Sequence, residues 1–304
     1  QMDISKGKAF DVESALLMYA DDFAFLPAKG IYDKGALEQL NFAINKCHIY
    51  MIGFLPVIEL VDATQDNANL VLKFRVGGTE ETVSLEMPQG AQLEKSHDDW
   101  FILDSDGNKS WPPNELIQTA LKRQSGKMVF KVKYVGQAFG KDGSRNAIDR
   151  LKKHETLQKI AIHGTPKDQS LYVFMLGIQA GNRQAIMFNP HANDSSSGEA
   201  RIEASLDKLF DTSEAERVTL FEASLIRFFQ PEFNKEFKNS FPSSNLKALQ
   251  DCYDKDFSAV CAEINFDHLP FSFESEVVKD TDTVMAYFDL HEDENRKIFF
   301  SPKL

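Results

Sequence analysis

The sequence predicts an α+β protein, because strand-like and helix-like apolar periodicities occur side by side along the chain. Residues 127–135 (KMVFKVKYV) alternate apolar and polar side chains, as a half-exposed strand does, whereas residues 145–161 place apolar side chains on one side at helical spacing. Residues 70–76 and 81–87 alternate around a glycine-containing turn and predict a hairpin. A chain of 304 residues favours one large or two ordinary domains and can bury a core.

The first 120 residues form a predicted α+β module. Its patterns predict, in order, an amphipathic helix over 10–26 ended by Pro27, a helix over 34–47, one or two buried strands over 48–61 broken at Pro56, the hairpin, a strand over 100–103 and a helix over 114–123. No catalytic constellation is evident in this module.

The rest of the chain continues the mixture of strands and helices. The predicted elements are the strand 127–135, a glycine-rich basic loop over 136–146, the helix 145–161, an apolar strand over 171–178, helices over 200–211, 214–229 and 245–253, and strands over 259–266, 284–290 and 297–301. Residues 121–240 and 241–304 are a second domain and a C-terminal extension that can pack on the N-terminal module.

Charge divides the chain into three blocks. Residues 1–125 carry 11 Lys/Arg and 19 Asp/Glu, residues 126–183 carry 11 and 4, and residues 184–304 carry 12 and 23. The net charge of −12 argues against nucleic-acid binding by the whole surface, but the central block, at +7, can accept a phosphate backbone. The acidic N-terminal module is instead a possible surface for a protein partner or for homo-oligomerisation.

Several classes of protein are disfavoured. No apolar run reaches the roughly 18 residues that a membrane-spanning helix needs, and the N-terminal residues lack the apolar core of a signal peptide. The three cysteines, Cys47, Cys252 and Cys261, are scattered and form no C-x-x-C pair, so neither a zinc cage nor a disulfide framework is expected. We therefore expect a cytoplasmic protein with no membrane segment.

The candidate functional residues lie in the basic block, residues 126–183, and in the segment that follows it. Arg150 and His154 are four residues apart in the helix predicted over 145–161, so a cation and a titratable imidazole would share one helical face. Glu222 lies between Phe221 and Leu225 in an otherwise apolar helix, where an ionised carboxylate needs a partner or a metal.

The order of these residues resembles the GIY-YIG nuclease superfamily. The resemblance covers about residues 126–236 and consists of a strand with tyrosine and glycine, a helix with arginine and histidine, a later helix with glutamate, and an asparagine beyond it. The matching residues are Tyr134, Gly136, Arg150, His154, Glu222 and Asn234. The resemblance implies a small antiparallel sheet flanked by helices over 121–240, in addition to the α+β N-terminal module.

One part of the family pattern has no evident match. The family has a first tyrosine on a strand shortly before the second, but no tyrosine occurs between Tyr50 and Tyr134. A literal Gly-Ile-Tyr at 30–32, followed by Tyr50-Met51-Ile52-Gly53, is rejected because no Arg-x-x-x-His helix follows within reach. The equivalent strand is then 100–103 with its tyrosine replaced, or a tyrosine such as Tyr32 or Tyr172 fills the place from elsewhere.

The resemblance implies a metal-dependent DNA endonuclease, of a kind found in restriction or phage defence. Glu222 would bind Mg²⁺ or Mn²⁺, Arg150 would hold the phosphate, Tyr134 or His154 would orient or deprotonate the water, and Asn234 would complete the catalytic set. DNA would follow a basic track formed by Lys133, Lys141, Arg145, Lys152 and Lys153. The alternatives are a catalytically impaired, nuclease-like module that binds DNA or protein, and an acidic interaction protein.

Overall fold

A computed structural model describes residues 8–97, 99–139, 147–181, 183–242, 246–254 and 256–297. The strands are β1 Val12–Pro27, β2 Cys47–Pro56, β3 Ile58–Asp66, β4 Asn69–Val76, β5 Thr79–Glu86, β6 Gln92–Ser96, β7 Asp99–Leu103, β8 Lys109–Ser110, β9 Val129–Gln137, β10 Gln169–Ile178, β11 Arg183–Phe188, β12 Ala259–Ile264, β13 Ser272–Glu274 and β14 Val284–Asp289. The helices are α1 Lys34–Ile44, α2 Asn114–Ser125, α3 Ala147–Leu151, α4 Glu155–His163, α5 Gly198–Asp211, α6 Glu214–Phe229 and α7 Lys247–Asp254.

One mixed sheet of eight strands organises the molecule. Its strand order is β13-β9-β2-β10-β1-β12-β14, and β11 pairs with the first half of β1. Phe273 in β13 also bridges to Thr281, just before β14, so the two ends of the strand order meet and the sheet is nearly closed. Strands from all three predicted segments of the chain therefore contribute to one sheet.

The predicted fold class, a small antiparallel sheet flanked by helices, is wrong. The large nearly closed sheet and two further small sheets dominate the structure. The main reason is the segment over 10–26, which is the long strand β1 and not a helix. Residues 12–16 of β1 are all buried because neighbouring strands and packed helices cover the strand on both faces, so its sequence lacks the alternation of a half-exposed strand.

The predictions over 34–103 were closer to the structure. Helix α1 is present, Pro56 ends β2 before β3 begins, and the hairpin of β4 and β5 is confirmed. The whole segment 57–128 lies between β2 and β9. It forms the sheet β3-β4-β5, the sheet β6-β7-β8 and helix α2, none of which separates β2 from β9 in space.

The three helices predicted over 200–211, 214–229 and 245–253 are confirmed as α5, α6 and α7. Helix α6 begins with a capping box, in which the Ser213 side chain accepts a hydrogen bond from the Glu216 backbone N–H and the Glu216 carboxylate accepts one from the Ser213 backbone N–H. The helix ends at Phe229, two residues before the predicted breaker Pro231. The strand predicted over 297–301 falls, apart from its first residue, outside the described residues. None of the helices that the structure describes is long and apolar enough to cross a membrane.

The helix predicted over 145–161 is interrupted. Helix α3 ends at Leu151, and the backbone N–H groups of Lys153 and His154 donate to carbonyl groups three residues earlier, which tightens the chain and stops the helix. His154 is extended (φ −89°, ψ 111°) and caps α4. Arg150 and His154 therefore do not share one helical face, contrary to the prediction.

Candidate active site

Two tyrosines from adjacent strands meet at the centre of the site. Strands β2 and β9 run antiparallel, with Tyr50 opposite Gly136 and Ile52 opposite Tyr134. The centres of the Tyr50 and Tyr134 rings are 6.1 Å apart. Tyr50 is only 1% exposed, whereas Tyr134 reaches the surface of a cleft.

Gly136 makes this arrangement of rings possible. A Cβ atom at position 136 would lie 2.6 Å from the Tyr50 hydroxyl oxygen and 2.8 Å from Cε1 of Tyr134. The Tyr50 side chain thus passes over β9 at the one point where the strand carries no side chain. Any larger residue would displace the hydroxyl groups of the two tyrosines.

His154 and Arg150 complete this side of the site although they lie on different elements. The His154 ring centre is 5.6 Å from that of Tyr50 and 5.1 Å from that of Tyr134. Burial, followed by the nearby charge of Arg150, lowers the pKa of His154, so its imidazole is neutral at pH 7. Arg150 is itself exposed, at the end of α3, and makes a hydrogen-bonding contact with the Tyr50 hydroxyl.

The two phenols are held in their protonated form. Burial is the largest cause that raises the pKa of Tyr50, and the neighbouring Tyr134 adds to it. Burial also raises the pKa of Tyr134, assisted by the charge of Glu222. Both phenols therefore keep their protons near neutral pH and act as hydrogen-bond donors, which leaves His154 as the proton acceptor of this group.

Glu222 approaches the tyrosines from α6, which packs against β9. Its carboxylate makes hydrogen-bonding contacts with the side chain and backbone of Gln137, the last residue of β9. Loss of solvent is the main cause that raises the pKa of Glu222 to about 8, and the negative charge of Glu236 contributes. An ionised Glu222 at this position is therefore costly unless a cation accompanies it.

Three residues of the site, Tyr134, Gln137 and Glu222, open into one cleft of about 720 Å³. Tyr134, Gln137 and Glu222 line it from β9 and α6, Glu155 and Lys159 line it from α4, and the loop after α6 supplies the remaining wall. The loop residues in the wall are Phe233, Asn234, Lys235, Glu236 and Phe237.

Asn234 has a structural position within this wall. Its side-chain oxygen accepts a hydrogen bond of 2.9 Å from the Val135 backbone N–H, and its Nδ2 donates one of 2.8 Å to the Val135 carbonyl. Asn234 is 8% exposed and Val135 is fully buried. Because both ends of the amide bind the backbone of β9, Asn234 fixes the loop against the strand that carries Tyr134.

The predicted basic track is present only in part. Lys133 forms an ion pair of 2.8 Å with Glu232, so its charge is balanced within the protein. Lys152 and Lys153 are exposed in the turn between α3 and α4. Lys141 and Arg145 lie outside the described residues. Lys159 and Lys235, which the sequence analysis did not select, line the cleft itself.

Tyr50 and Gln137 are the principal residues that the sequence analysis missed. The segment His48-Ile49-Tyr50 on a buried strand was the available signal, since it differs from Gly-Ile-Tyr at one position. This signal was not recognised because the long insertion 57–128 separates, in the sequence, two strands that are neighbours in space. The candidate strand 100–103 is β7 and belongs to a small separate sheet.

A metal ion at this site would have one carboxylate as its protein ligand. Among the described residues, no group of three or more His, Cys, Asp or Glu side chains is arranged to hold a metal ion. Glu222 nevertheless suits a hydrated divalent cation, because Mg²⁺ keeps several waters and commonly binds through one or two carboxylates. Burial outweighs the nearby charge of Arg150 and the hydrogen bonds of Gln137, so the pKa of Glu222 stays raised.

Searches of protein-family models, of curated proteins and of solved structures each find no match to this chain. The assignment of the site therefore rests on its own residues and geometry.

Proposed function

We propose that this protein is a divalent-metal-dependent endonuclease of the GIY-YIG type, which hydrolyses phosphodiester bonds in DNA. The observation that carries the proposal is the position of Tyr50. It lies beside Tyr134 on the adjacent strand, where the family's first tyrosine is expected, although 84 positions separate them in the sequence. Arg150, His154 and Glu222 lie around this pair.

The protein side chains divide the chemical tasks of hydrolysis. His154, neutral and next to both tyrosines, accepts the proton of the attacking water as the new P–O bond forms. Tyr50 and Tyr134 orient that water through their hydroxyl groups. Arg150 binds the non-bridging oxygens of the phosphate and stabilises the charge that develops on them.

Glu222 would hold Mg²⁺ or Mn²⁺, and Gln137 would keep its carboxylate in a fixed orientation. When bound, such an ion stabilises negative charge on the scissile phosphate and on the leaving 3′ oxygen. Lys152, Lys153, Lys159 and Lys235 surround this region and contact the nucleic-acid backbone.

The biological setting follows by analogy alone. The extra segment 57–128 fits an enzyme with an additional recognition or regulatory part, as in restriction or phage-defence nucleases. Cys47, Cys252 and Cys261 are buried and form no disulfide with one another, which fits a reducing compartment such as the cytoplasm.

Plasmid cleavage tests this function. Purified wild-type protein should nick or linearise plasmid DNA in Mg²⁺ or Mn²⁺ and should do neither in EDTA. Glu222→Ala and Arg150→Ala should both abolish cleavage while the circular dichroism spectrum is unchanged. If both variants cut as well as the wild type, the site is wrong. If no divalent ion supports cleavage of plasmid or single-stranded DNA while DNA binding persists in EDTA, the protein is a nuclease-like binding module.

A further inference from the structure

The loop after α6 is a firmly held wall of the cleft. Asn234 bonds both backbone groups of Val135, and the Phe233 N–H donates to the Lys133 carbonyl at 3.1 Å. At its far end, the Arg227 guanidinium donates to the Lys238 carbonyl at 2.6 Å. A loop fixed at both ends can present its side chains to a ligand without a large ordering cost on binding.

Phe237 has the least ordinary conformation in this wall. Its φ angle is +63°, in the left-handed region that bulky residues rarely adopt. The side chain packs partly against the core and lines the cleft. Strained residues of this kind are often found at binding sites, where the surrounding structure holds a side chain in place for its function.

The ring of Phe237 is only partly buried and lines the cleft. Among the residues that the structure describes, no other aromatic ring or cation lies against it. Phe233, by contrast, is already engaged, with the His163 ring centre at 5.7 Å and the Lys159 Nζ at 5.9 Å from its own. Phe237 is therefore the aromatic residue of the loop with room for a ligand.

The charged groups that line the cleft are the lysines Lys159 and Lys235 and the glutamates Glu155, Glu222 and Glu236. A cleft of about 720 Å³ lies in the range of small-molecule sites and exceeds what a single base requires. Lys159 and Lys235 supply positive charge for a phosphate, while the Glu236 carboxylate can accept hydrogen bonds from the edge of a base. The cleft adjoins Glu222 and Tyr134, so a base bound there belongs to a nucleotide close to the scissile phosphate.

We propose that Phe237 stacks against an unpaired nucleobase in this cleft, and that the substrate is single-stranded or locally unpaired nucleic acid. A base inside a continuous duplex is stacked on both faces and cannot enter a recess of this kind. This inference rests on the proposed nuclease function for the reaction, but base binding can be measured without it.

Equilibrium binding in EDTA isolates the stacking contact. The two probes are an oligothymidylate of about 12 nucleotides and an abasic strand of the same length and charge, for which the electrostatic attraction is equal. Wild-type protein should bind the first about tenfold more tightly, as expected for one base stacked on an aromatic side chain.

Phe237→Asn removes the ring and tolerates the left-handed backbone, so the loop should remain folded. In this variant, the preference for oligothymidylate over the abasic strand should fall at least about fivefold. Phe237→Tyr should keep the preference of the wild type. Phe210→Asn, at an 81% exposed phenylalanine on α5, is the control and should leave the preference unchanged. Equal binding of the two probes by wild type, or an equal preference in Phe237→Asn, would overturn the proposal.

Cleavage in Mg²⁺ separates this inference from the function on which it rests. Single-stranded DNA should be cut faster than a blunt duplex of the same sequence, and Phe237→Asn should reduce that advantage. Equal rates on the two substrates would contradict the substrate class and leave the nuclease intact. A Phe237-dependent preference without any cleavage would refute the nuclease and retain the base-binding cleft.

Discussion

Gly136 determines whether the two tyrosines of the site can coexist. We predict that Gly136→Ala slows DNA cleavage by roughly a hundredfold, because displacing groups in a reacting site by about 1 Å has an effect of that order. The added methyl group would meet the Tyr50 hydroxyl at 2.6 Å, so stability should also fall by about 1–3 kcal/mol.

Gly35→Ala is the matched control for this substitution. Gly35 lies in α1, and its nearest neighbour to an added Cβ is a carboxylate oxygen of Asp33 at 3.5 Å. Stability should be unchanged or slightly higher, because alanine is a better helix former than glycine. Equal cleavage by Gly136→Ala and Gly35→Ala would show that the tyrosine pair is not needed for the reaction.

The ionisation of Glu222 gives a pH dependence with a definite sign. Its pKa in the folded protein is about 8, above the ordinary value of 4.5, so the protonated form is favoured by folding. The resulting stability is fully present below pH 4.5 and is lost as the pH rises through 8. In EDTA, Glu222→Gln should therefore gain stability relative to the wild type as the pH increases.

Urea unfolding of the two proteins across this pH range measures that difference. Mg²⁺ should restore stability to the wild type at high pH and should have no such effect on Glu222→Gln. If the free energy of unfolding changes with pH equally in the two proteins, Glu222 is ionised across this range. The raised pKa of Glu222 would then no longer support a metal site.

At the scale of elements, the loop after α6 depends on Asn234. We predict that Asn234→Ala lowers the free energy of unfolding by about 3 kcal/mol, because it leaves the buried N–H and carbonyl groups of Val135 without partners. Cleavage should slow as well, since this loop forms one wall of the cleft.

Thermal or chemical unfolding checks this prediction. Asn265→Ala is the control, since Asn265 is exposed and its side chain donates a hydrogen bond to the Glu263 carboxylate, two residues away, at 3.3 Å. A loss of stability in Asn234→Ala no greater than in the control would mean that the loop is held by its other contacts.

Elements were predictable from the sequence where one face of each was exposed. The strand β9, the hairpin of β4 and β5, and the helices α5 and α6 all have the periodicity that such exposure imposes. The segment over 145–161 kept its apolar spacing across a break, because Leu151 and Leu157 are buried on both sides of the turn at Lys152–His154. Periodicity alone could not show that the helix stops there.

At the scale of the whole molecule, a buried ionic cluster joins distant parts of the chain. Glu13 in β1 accepts hydrogen bonds from Arg201 in α5 at 2.7 Å and from Arg296 at 2.8 Å. Arg296 and Arg201 also bind Asp256, ahead of β12. The Phe10 ring lies close to both guanidinium groups, at 4.0 Å from Arg201 and 4.8 Å from Arg296.

We predict that Arg296→Met destabilises the protein by about 3 kcal/mol, because it leaves the charge of Glu13, 6% exposed, partly uncompensated. Arg75→Met is the matched control, since the Arg75–Glu59 pair is exposed and such pairs contribute less than about 1 kcal/mol. Chemical unfolding distinguishes the two. Similar small effects in both variants would show that the cluster does not hold the C-terminal segment to β1.

The architecture was less predictable than the site. Residue type and spacing were enough to select Tyr134, Arg150, His154 and Glu222 from the sequence, and the structure brings these side chains together. The closure of the sheet depends on pairings over long sequence separations, such as β1 with β12, which no local pattern specifies. Tyr50 was missed for the same reason, since its neighbour lies beyond the insertion 57–128.

The most direct test of a metal-dependent nuclease site is the single-turnover rate of DNA cleavage in Mg²⁺ for Glu222→Gln against the wild type. The substitution preserves shape and removes the charge that would hold the ion. We predict measurable cleavage by the wild type, a rate at least roughly a hundredfold lower for Glu222→Gln, and an unchanged rate for Glu203→Gln, at an exposed carboxylate on α5. A rate for folded Glu222→Gln close to that of the wild type would contradict the assignment of Glu222 as the metal ligand.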